Sequence, residues 1–130
     1  MILGSTHVAG MERSFSALWE RSQLIMHNIA NEDTPGYKGK KLRFEGALQN
    51  ELRMLQNSRT ITKNEAARRI DAVQTVVYND TTLSARADGN NVNIDNEHIE
   101  LARVQLQYQA LKEKISGHYT NLKYVIRGGK

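Results

Sequence analysis

The residues Asn28-Ile-Ala-Asn31-Glu-Asp-Thr34-Pro35-Gly36-Tyr37-Lys38 divide a helical segment from the rest of the chain. Pro35 is the only proline in the sequence, and Gly36 follows it directly. Proline fixes φ at the second position of a turn, and glycine supplies the positive φ that a type II turn needs at the third position. Asn28 and Asn31 can bond backbone groups that an ending helix leaves unpaired. The stretch therefore predicts a helix end and a tight turn.

Upstream of this corner, apolar and small residues recur at alternating spacings of three and four. This pattern is typical of a helix face that packs on another helix. Trp19 and Met26 lie beside the face and widen it. We expect a helix over residues 10–29. Its seam positions are Val8, Met11, Phe15, Leu18, Ser22, Ile25 and Ile29.

The segment after the turn is basic and then becomes apolar again. Residues 38–43 read Lys-Gly-Lys-Lys-Leu-Arg, so residues 30–43 are predicted to form a turn and an extended loop. The cations could contact phosphates or an acidic partner, but the absence of interleaved aromatics favours a solvated loop. Phe44, Leu48, Leu52 and Leu55 follow at helical spacing. A short helix over residues 44–55 is expected.

Residues 56–94 contain few large apolar residues and are predicted to form a loosely structured insertion. The run Val73-Gln-Thr-Val-Val-Tyr78 is its one candidate strand. A single strand cannot bury itself, so the insertion needs something to pack on it. Asp88-Gly-Asn-Asn91 is a strong turn signal near its end.

A second seam predicts a helix over residues 95–127. Asp95 is placed to cap it, Glu97 and Glu100 fall in its first turn, and Gly128-Gly129 ends it. The two seams predict a mainly α fold in one domain over residues 1–130, with two long helices that each carry an apolar face for packing on another helix. The second seam comprises Leu101, Val104, Tyr108, Leu111, Ile115, His118, Leu122 and Val125.

The sequence offers no constellation that supports catalysis. It has no cysteine, and its four histidines have no i, i+4 partner for a metal. Asp88, Asn90, Asn93 and Asp95 only faintly resemble a calcium loop, because Gly89 is misplaced and no glutamate closes the frame. A net charge of +4 is too mild to indicate a nucleic-acid partner. We therefore expect no enzyme, no cofactor, no metal, no nucleic acid and no small-molecule substrate.

The first residues also lack a basic start and a long apolar run, so no Sec-type signal peptide is expected, and no apolar run is long enough to span a bilayer.

The sequence of the corner matches a known family motif. Ala30, Asn31, Thr34, Pro35, Gly36 and Tyr37 form Ala-Asn-x-x-Thr-Pro-Gly-Tyr, which resembles the signature of the bacterial flagellar rod and hook axial protein family. Residues 88–95, 105–111 and 126–129 are similar to the branch of that family that forms the proximal rod. Glu32 departs from the usual aliphatic residue, and Asn93 departs from the usual Asp.

The resemblance implies that the N- and C-terminal helices pair as a long antiparallel coiled coil, for which both seams are suited. It implies a structural subunit of the proximal rod, packed helically with copies of itself and other rod proteins to transmit torque from the membrane rotor. It also implies contacts with the rod-to-membrane-ring adaptor and ring components. The helix-pairing and assembly residues would be Phe15, Leu18, Ile25, Ile29, Leu101, Val104, Tyr108, Leu111, Ile115, Leu122 and Val125. Trp19 and Leu106, at or near the seam edges, would contact neighbouring subunits.

The same resemblance implies delivery to the periplasmic rod of the basal body by the flagellar type III exporter, without a cleaved signal peptide. Phe44 and Leu48 fit the export-gate element of the family, Phe-x-x-x-hydrophobic. Two core residues one helical turn apart would give the same pattern. Two alternatives remain for the whole chain: a partner-binding coiled-coil adaptor that shares only the periodicity, or another rod paralogue.

Overall fold

The structure is a computed structural model that describes residues 2–129, with side chains described from residue 6 onward. Its helices and strand pair confirm the predicted mainly α fold. In chain order the elements are α1 (Ile2–Ala30), β1 (Lys40–Arg43), α2 (Glu45–Asn57), α3 (Lys63–Asp71), β2 (Val76–Asn79) and α4 (Ile94–Ile126).

The two long helices, α1 and α4, pack side by side and run in opposite directions. The Asn28 amide bonds Glu97 at 3.0 Å, whereas the Phe15 ring stacks on Tyr108 with the ring centroids 4.0 Å apart. Residue numbers therefore fall along α1 as they rise along α4. With 29 and 33 residues, the helices are about 43 and 50 Å long. The predicted antiparallel pairing of the N- and C-terminal helices is confirmed.

The ends of the helices differ from the predicted bounds. Helix α1 begins at Ile2 rather than near residue 10. The apolar seam starts only at Val8, and the helix extends N-terminal to it, where the sequence shows no apolar period. Helix α2 begins one residue after Phe44 and ends at Asn57. The predicted cap at Asp95 is wrong: Asn93 caps α4 by accepting a hydrogen bond from the Asn96 amide at 3.1 Å.

The middle of the chain contributes to the core. Helix α3 begins after Thr62, whose hydroxyl accepts a hydrogen bond from the Glu65 amide. Ala66 and Ile70, one turn apart, are fully buried and pack with Leu55 of α2. A second cluster joins Ala17 of α1 to Leu42, Phe44 and Val73. The sequence predicted a loosely structured segment over residues 56–94 and did not predict α3. This helix buries only two residues, so its sequence shows too few apolar positions to reveal a helical period.

The two strands form a small antiparallel sheet, with Lys40 opposite Asn79 and Arg43 opposite Val76. The candidate strand in the insertion is therefore real but begins at Val76. The basic stretch is its partner rather than an unpaired loop. Lys41 lies 2.5 Å from Asp80, and the guanidinium of Arg43 lies 4.2 Å from the centre of the Tyr78 ring.

No helix in the described part of the chain combines the length and apolar character needed to cross a membrane.

Candidate functional site

The turn at the end of α1 has the predicted geometry. The Tyr37 amide donates to the Thr34 carbonyl at 3.2 Å, and Gly36 has a φ of +71°. The Asn31 side chain joins the helix end to the turn, since its amide donates to the His27 carbonyl at 2.8 Å and its oxygen accepts from the Thr34 hydroxyl at 3.1 Å. The asparagine of the signature thus adds a second donor to the His27 carbonyl, which also accepts from the Asn31 backbone amide at 3.2 Å, and connects this helix end to the turn.

The turn is held from outside by Asn90, which is fully buried. Its Nδ2 lies 2.8–2.9 Å from three backbone carbonyl oxygens, those of Asn31, Glu32 and Thr34. Its Oδ1 accepts from the Val92 amide at 2.8 Å. A single side chain 56 to 59 residues away in sequence therefore binds the inner side of the corner.

Backbone hydrogen bonds join the same two segments. The Gly36 amide donates to the Asp88 carbonyl at 2.8 Å, and the Asn91 amide donates to the Tyr37 carbonyl at 3.3 Å. Gly89 has a φ of +77°, and a Cβ placed on it would lie 3.8 Å from the Gly36 Cα. We call residues 31–37 and 84–92, with these bonds, the corner clasp. Both family-like motifs, one from each half of the chain, meet in it.

Asn28 connects the clasp to the helical pair and is also buried. Its Oδ1 accepts from the Lys40 amide at 2.8 Å and from the Tyr37 hydroxyl at 3.1 Å. Its Nδ2 donates to the Lys40 carbonyl at 2.9 Å and to Glu97 at 3.0 Å. Every hydrogen-bonding position of this amide is used, and its bonds reach the turn, β1 and α4.

The bonds of Asn28 also fix the direction in which the Tyr37 hydroxyl donates. Because Asn28 Oδ1 can only accept, the Tyr37 hydroxyl must donate to it. His27 Nδ1 lies 2.8 Å from the same hydroxyl and 3.5 Å from the Asn31 side-chain nitrogen. Burial, and next the nearby charge of Glu97, raise the pKa of Tyr37, so this hydroxyl stays protonated near neutral pH.

Residues of the faint calcium-loop pattern have structural roles: Asp88 and Asn90 belong to the corner clasp, and Asn93 caps α4. Asp88 accepts from the Asn90 amide at 3.1 Å and pairs with Arg86 at 3.0 Å, whereas Asn93 caps α4. Within the part of the chain with described side chains, no group of three or more His, Cys, Asp or Glu residues is placed to hold a metal ion. Glu32 contributes its backbone carbonyl, which also accepts from Arg86 at 3.0 Å.

The seam residues on α1 and α4 meet along most of the pair. Ile25 and Val104 are buried. Half-buried positions beside them are Phe15, Leu18, Ile29, Leu101, Tyr108, Leu111 and Ile115. Leu122 and Val125 are exposed, as is His118, so the apolar rhythm extends past the seam within one chain. The apolar period shows which face of a helix is apolar, but it does not show whether the other helix of the same chain or another molecule covers that face.

The candidate export-gate residues lie in the folded core. Phe44 is buried with Ala17, Leu42 and Val73, and the guanidinium of Arg13 lies 5.1 Å from the centre of its ring. Leu48 is half-buried one turn later. In the folded chain, packing in the core is enough to explain why Phe44 and Leu48 are apolar.

Sequence reasoning did not identify Asn90 and Asn28 as the residues that hold the site together. Their motifs were noticed, but an asparagine beside a turn usually bonds its own neighbourhood. The available signal was the row of asparagines at positions 90 and 91 directly after a glycine turn. It indicated a turn without indicating what the turn would bind.

Comparison with known proteins identifies relatives matched over most or all of their length, although no protein-family model matches the chain. The flagellar basal body rod protein FlgB of Bacillus subtilis (strain 168) is 37% identical over 130 residues, which cover all of both chains. FlgB of Buchnera aphidicola subsp. Acyrthosiphon pisum is 32% identical over 117 residues, covering 84% of this chain and 85% of the relative. FlgB of Escherichia coli (strain K12) is 28% identical over 120 residues, 85% of each chain.

Proposed function

Because this chain belongs to the FlgB family of flagellar basal body rod proteins, we propose that it is a structural subunit of the membrane-proximal rod. In this role it couples the membrane rotor to the rod and transmits torque. The relatives carry one name, which favours this subunit over another rod paralogue. The chain is accordingly a component of the flagellar basal body, where it associates with other rod components.

The observation that carries the proposal is the clasped pair of long antiparallel helices. A torque-bearing subunit must resist sliding of one helix along the other. The Asn28 to Glu97 bond and the Phe15 to Tyr108 stack fix the register of α1 against α4 at two levels. The clasp fixes the end of α1 against the start of α4. Such a unit can transmit a twisting force through shared contacts with its neighbours.

The proposal includes a route and further partners. Subunits would be delivered by the flagellar type III exporter, uncleaved and unfolded, and would assemble in the periplasmic rod beside the ring adaptor. Phe44 is buried and Leu48 half-buried in the folded chain, so an exporter that reads this pair would have to read it before folding.

Polar substitution in the seam tests the function. Leu111→Asp and Ile115→Asp should leave export intact, since the chain travels unfolded, and should abolish the rod, hook and filament, because a charge cannot be buried unpaired between α1 and α4. Ser116→Asp, at an exposed position of the same helix, is the matched control and should assemble. Electron microscopy of isolated basal bodies gives the result.

The expected image is a membrane ring without a rod. Hooks and filaments that persist in a strain lacking this protein would exclude the assignment, and the partner-binding adaptor would then be the better interpretation.

A further inference from the structure

In the part of the chain with described side chains, no other element covers the flank of helix α1 around Trp19 and Met26, although Glu12 farther along it accepts a hydrogen bond from Tyr119 of α4. The other faces of α1 pack on α4, α3 and β1. Two large apolar residues lie on the open flank, Trp19 with 55% of its surface exposed and Met26 with 43%. They are seven residues apart, so their side chains lie about 10.5 Å apart along the helix axis. The exposed positions of this stripe are Glu12, Ser16, Trp19, Gln23, Met26 and Ala30.

Helix α4 carries a second apolar stripe on the side away from its seam. Ile99 is 58% exposed and Leu106 is 68% exposed, and they too are seven residues apart. Ala102 and Ala110 lie one turn to either side of Leu106 and are exposed. Small residues around Leu106 leave room for a large side chain to approach the helix closely.

The two stripes lie at the same height in the molecule. Asn28 of α1 bonds Glu97 of α4, which marks one level of the pair. Counting one residue down α1 for each residue up α4 from this bond places Met26 level with Ile99 and Trp19 level with Leu106. The stack of Phe15 on Tyr108 agrees with this count to within two residues. The stripes thus match in pitch and in level.

We propose that Trp19 and Met26 of one copy pack against Leu106 and Ile99 of a second copy lying beside it at the same level. This inference rests on the proposed rod function and names the subunit contact within it. A second copy is the occupant because the matching stripe, with the same spacing and height, is on this chain. At one end the contact is bounded by Glu12, whose carboxylate accepts a hydrogen bond from the Tyr119 hydroxyl of its own α4.

The contact joins two different surfaces, so each copy uses one stripe on each side. Contacts of this heterologous kind build closed rings or open helices rather than dimers. Four apolar side chains cover far less than the roughly 1,600 Å² of a standard stable interface. The contact should therefore form in the assembled array, where every copy makes it twice.

Cysteine cross-linking in isolated basal bodies tests the register, because the chain has no cysteine of its own. Two differently tagged single-cysteine forms are co-expressed, and the basal bodies are oxidised. A disulfide needs Cα atoms within about 7 Å, whereas a two-turn error separates them by about 10.5 Å. The in-register combinations are Trp19→Cys with Leu106→Cys and Met26→Cys with Ile99→Cys. The off-register controls are Trp19→Cys with Ile99→Cys and Met26→Cys with Leu106→Cys.

We expect in-register pairs to cross-link at least about tenfold more than off-register pairs, and single forms alone to give no dimers. Ser16→Cys with Gln109→Cys is a third in-register pair that removes no apolar side chain, and it gives the result if loss of Trp19 prevents assembly. Equal cross-linking of all pairs, dimers of a single form, or cross-links only to another protein would overturn the inference.

The two proposals fail differently. A tagged chain that is present in basal bodies without in-register cross-links overturns the pairing and leaves the rod function standing. A tagged wild-type chain that is absent from basal bodies overturns the rod function and, with it, the pairing.

Discussion

Replacing Asn90 by alanine should open the corner clasp while leaving the α1–α4 seam largely in place. The side chain is fully buried and bonds three carbonyls and one amide. Truncation removes both donors and the acceptor without changing any residue of the turn itself. The variant therefore separates the clasp from the local turn chemistry of Pro35 and Gly36.

The magnitude follows from what each former partner of Asn90 retains. The carbonyls of Asn31, Glu32 and Thr34 keep other donors, namely the Thr34 amide, the Arg86 guanidinium and the Tyr37 amide. The Val92 amide is buried and loses the acceptor it had in Asn90. One stranded buried amide costs about 1–3 kcal/mol, and the lost bonds to carbonyls add about 1 kcal/mol. The total is about 2–4 kcal/mol.

Amide hydrogen exchange measures this loss at the clasp. A cost of about 2–4 kcal/mol corresponds to a roughly 30- to 800-fold fall in protection. The fall should be seen at the amides of Gly36, Asn91 and Val92, and it should be small at Tyr108 in the middle of α4. Asn121→Ala, at an exposed position of the same chain, is the control and should change none of these amides.

Asn90→Asp sharpens the test, because it keeps the shape and replaces the donating NH2 by an oxygen. A carboxylate facing three carbonyl oxygens should cost more than alanine at neutral pH. Burial and these carbonyls would raise the pKa of the new carboxyl group. A raised folded pKa means that stability is present below the unfolded value of about 3.9 and is lost as pH rises through the folded value. Protection that stays within threefold of wild type in both variants at pH 7 would refute the reasoning.

Three other perturbations test separate parts of the structure. Gly36→Val should lower the free energy of unfolding by about 1–3 kcal/mol, because Gly36 has a φ of +71°, and it should abolish motility. Gly36→Asn should have a smaller effect. Normal motility of the valine variant would show that the turn is not needed for assembly. Hydrogen bonds from Lys41, and next from Thr82, hold the pKa of Asp80 at about 2, below the ordinary 3.8. The Lys41–Asp80 pair therefore stabilises the fold fully above pH 3.8, and this stabilisation is lost as pH falls through 2. Asp80→Asn should thus cost about 1 kcal/mol in denaturant unfolding at pH 7 and clearly less as pH falls to the folded pKa of about 2 and below, and an equal cost across this range would refute the pair. Phe44→Ala should cost about 3–5 kcal/mol and Phe44→Leu much less; secretion that fails in both would support a role in export, and normal secretion in both would leave Phe44 a core residue only.

Local and periodic features were predictable from the sequence. The alternating spacing of apolar residues predicted both long helices and their apolar faces, because a helix repeats every 3.6 residues whatever surrounds it. Proline followed by glycine predicted the turn, since φ is restricted by the residues themselves. Features that needed a partner were not predictable in the same way. Helix α3 and the strand pairing of the basic stretch depend on packing against α1 and on a strand more than thirty residues away.

The sequence by itself thus indicated the two long helices and α2, the turn at Pro35 and Gly36, and the apolar faces of the long helices, but not α3. Only the tertiary structure decided that Asn28 and Asn90 are buried, because burial of a polar side chain depends on which distant carbonyls and amides reach it. It also decided which apolar residues the seam covers and which remain for a neighbour: Ile25 and Val104 are enclosed, whereas Trp19 and Leu106 are not. Val104 and Val125 follow the same seam spacing, yet Val104 is 2% exposed and Val125 is 71% exposed, and only the position of the other helix distinguishes them.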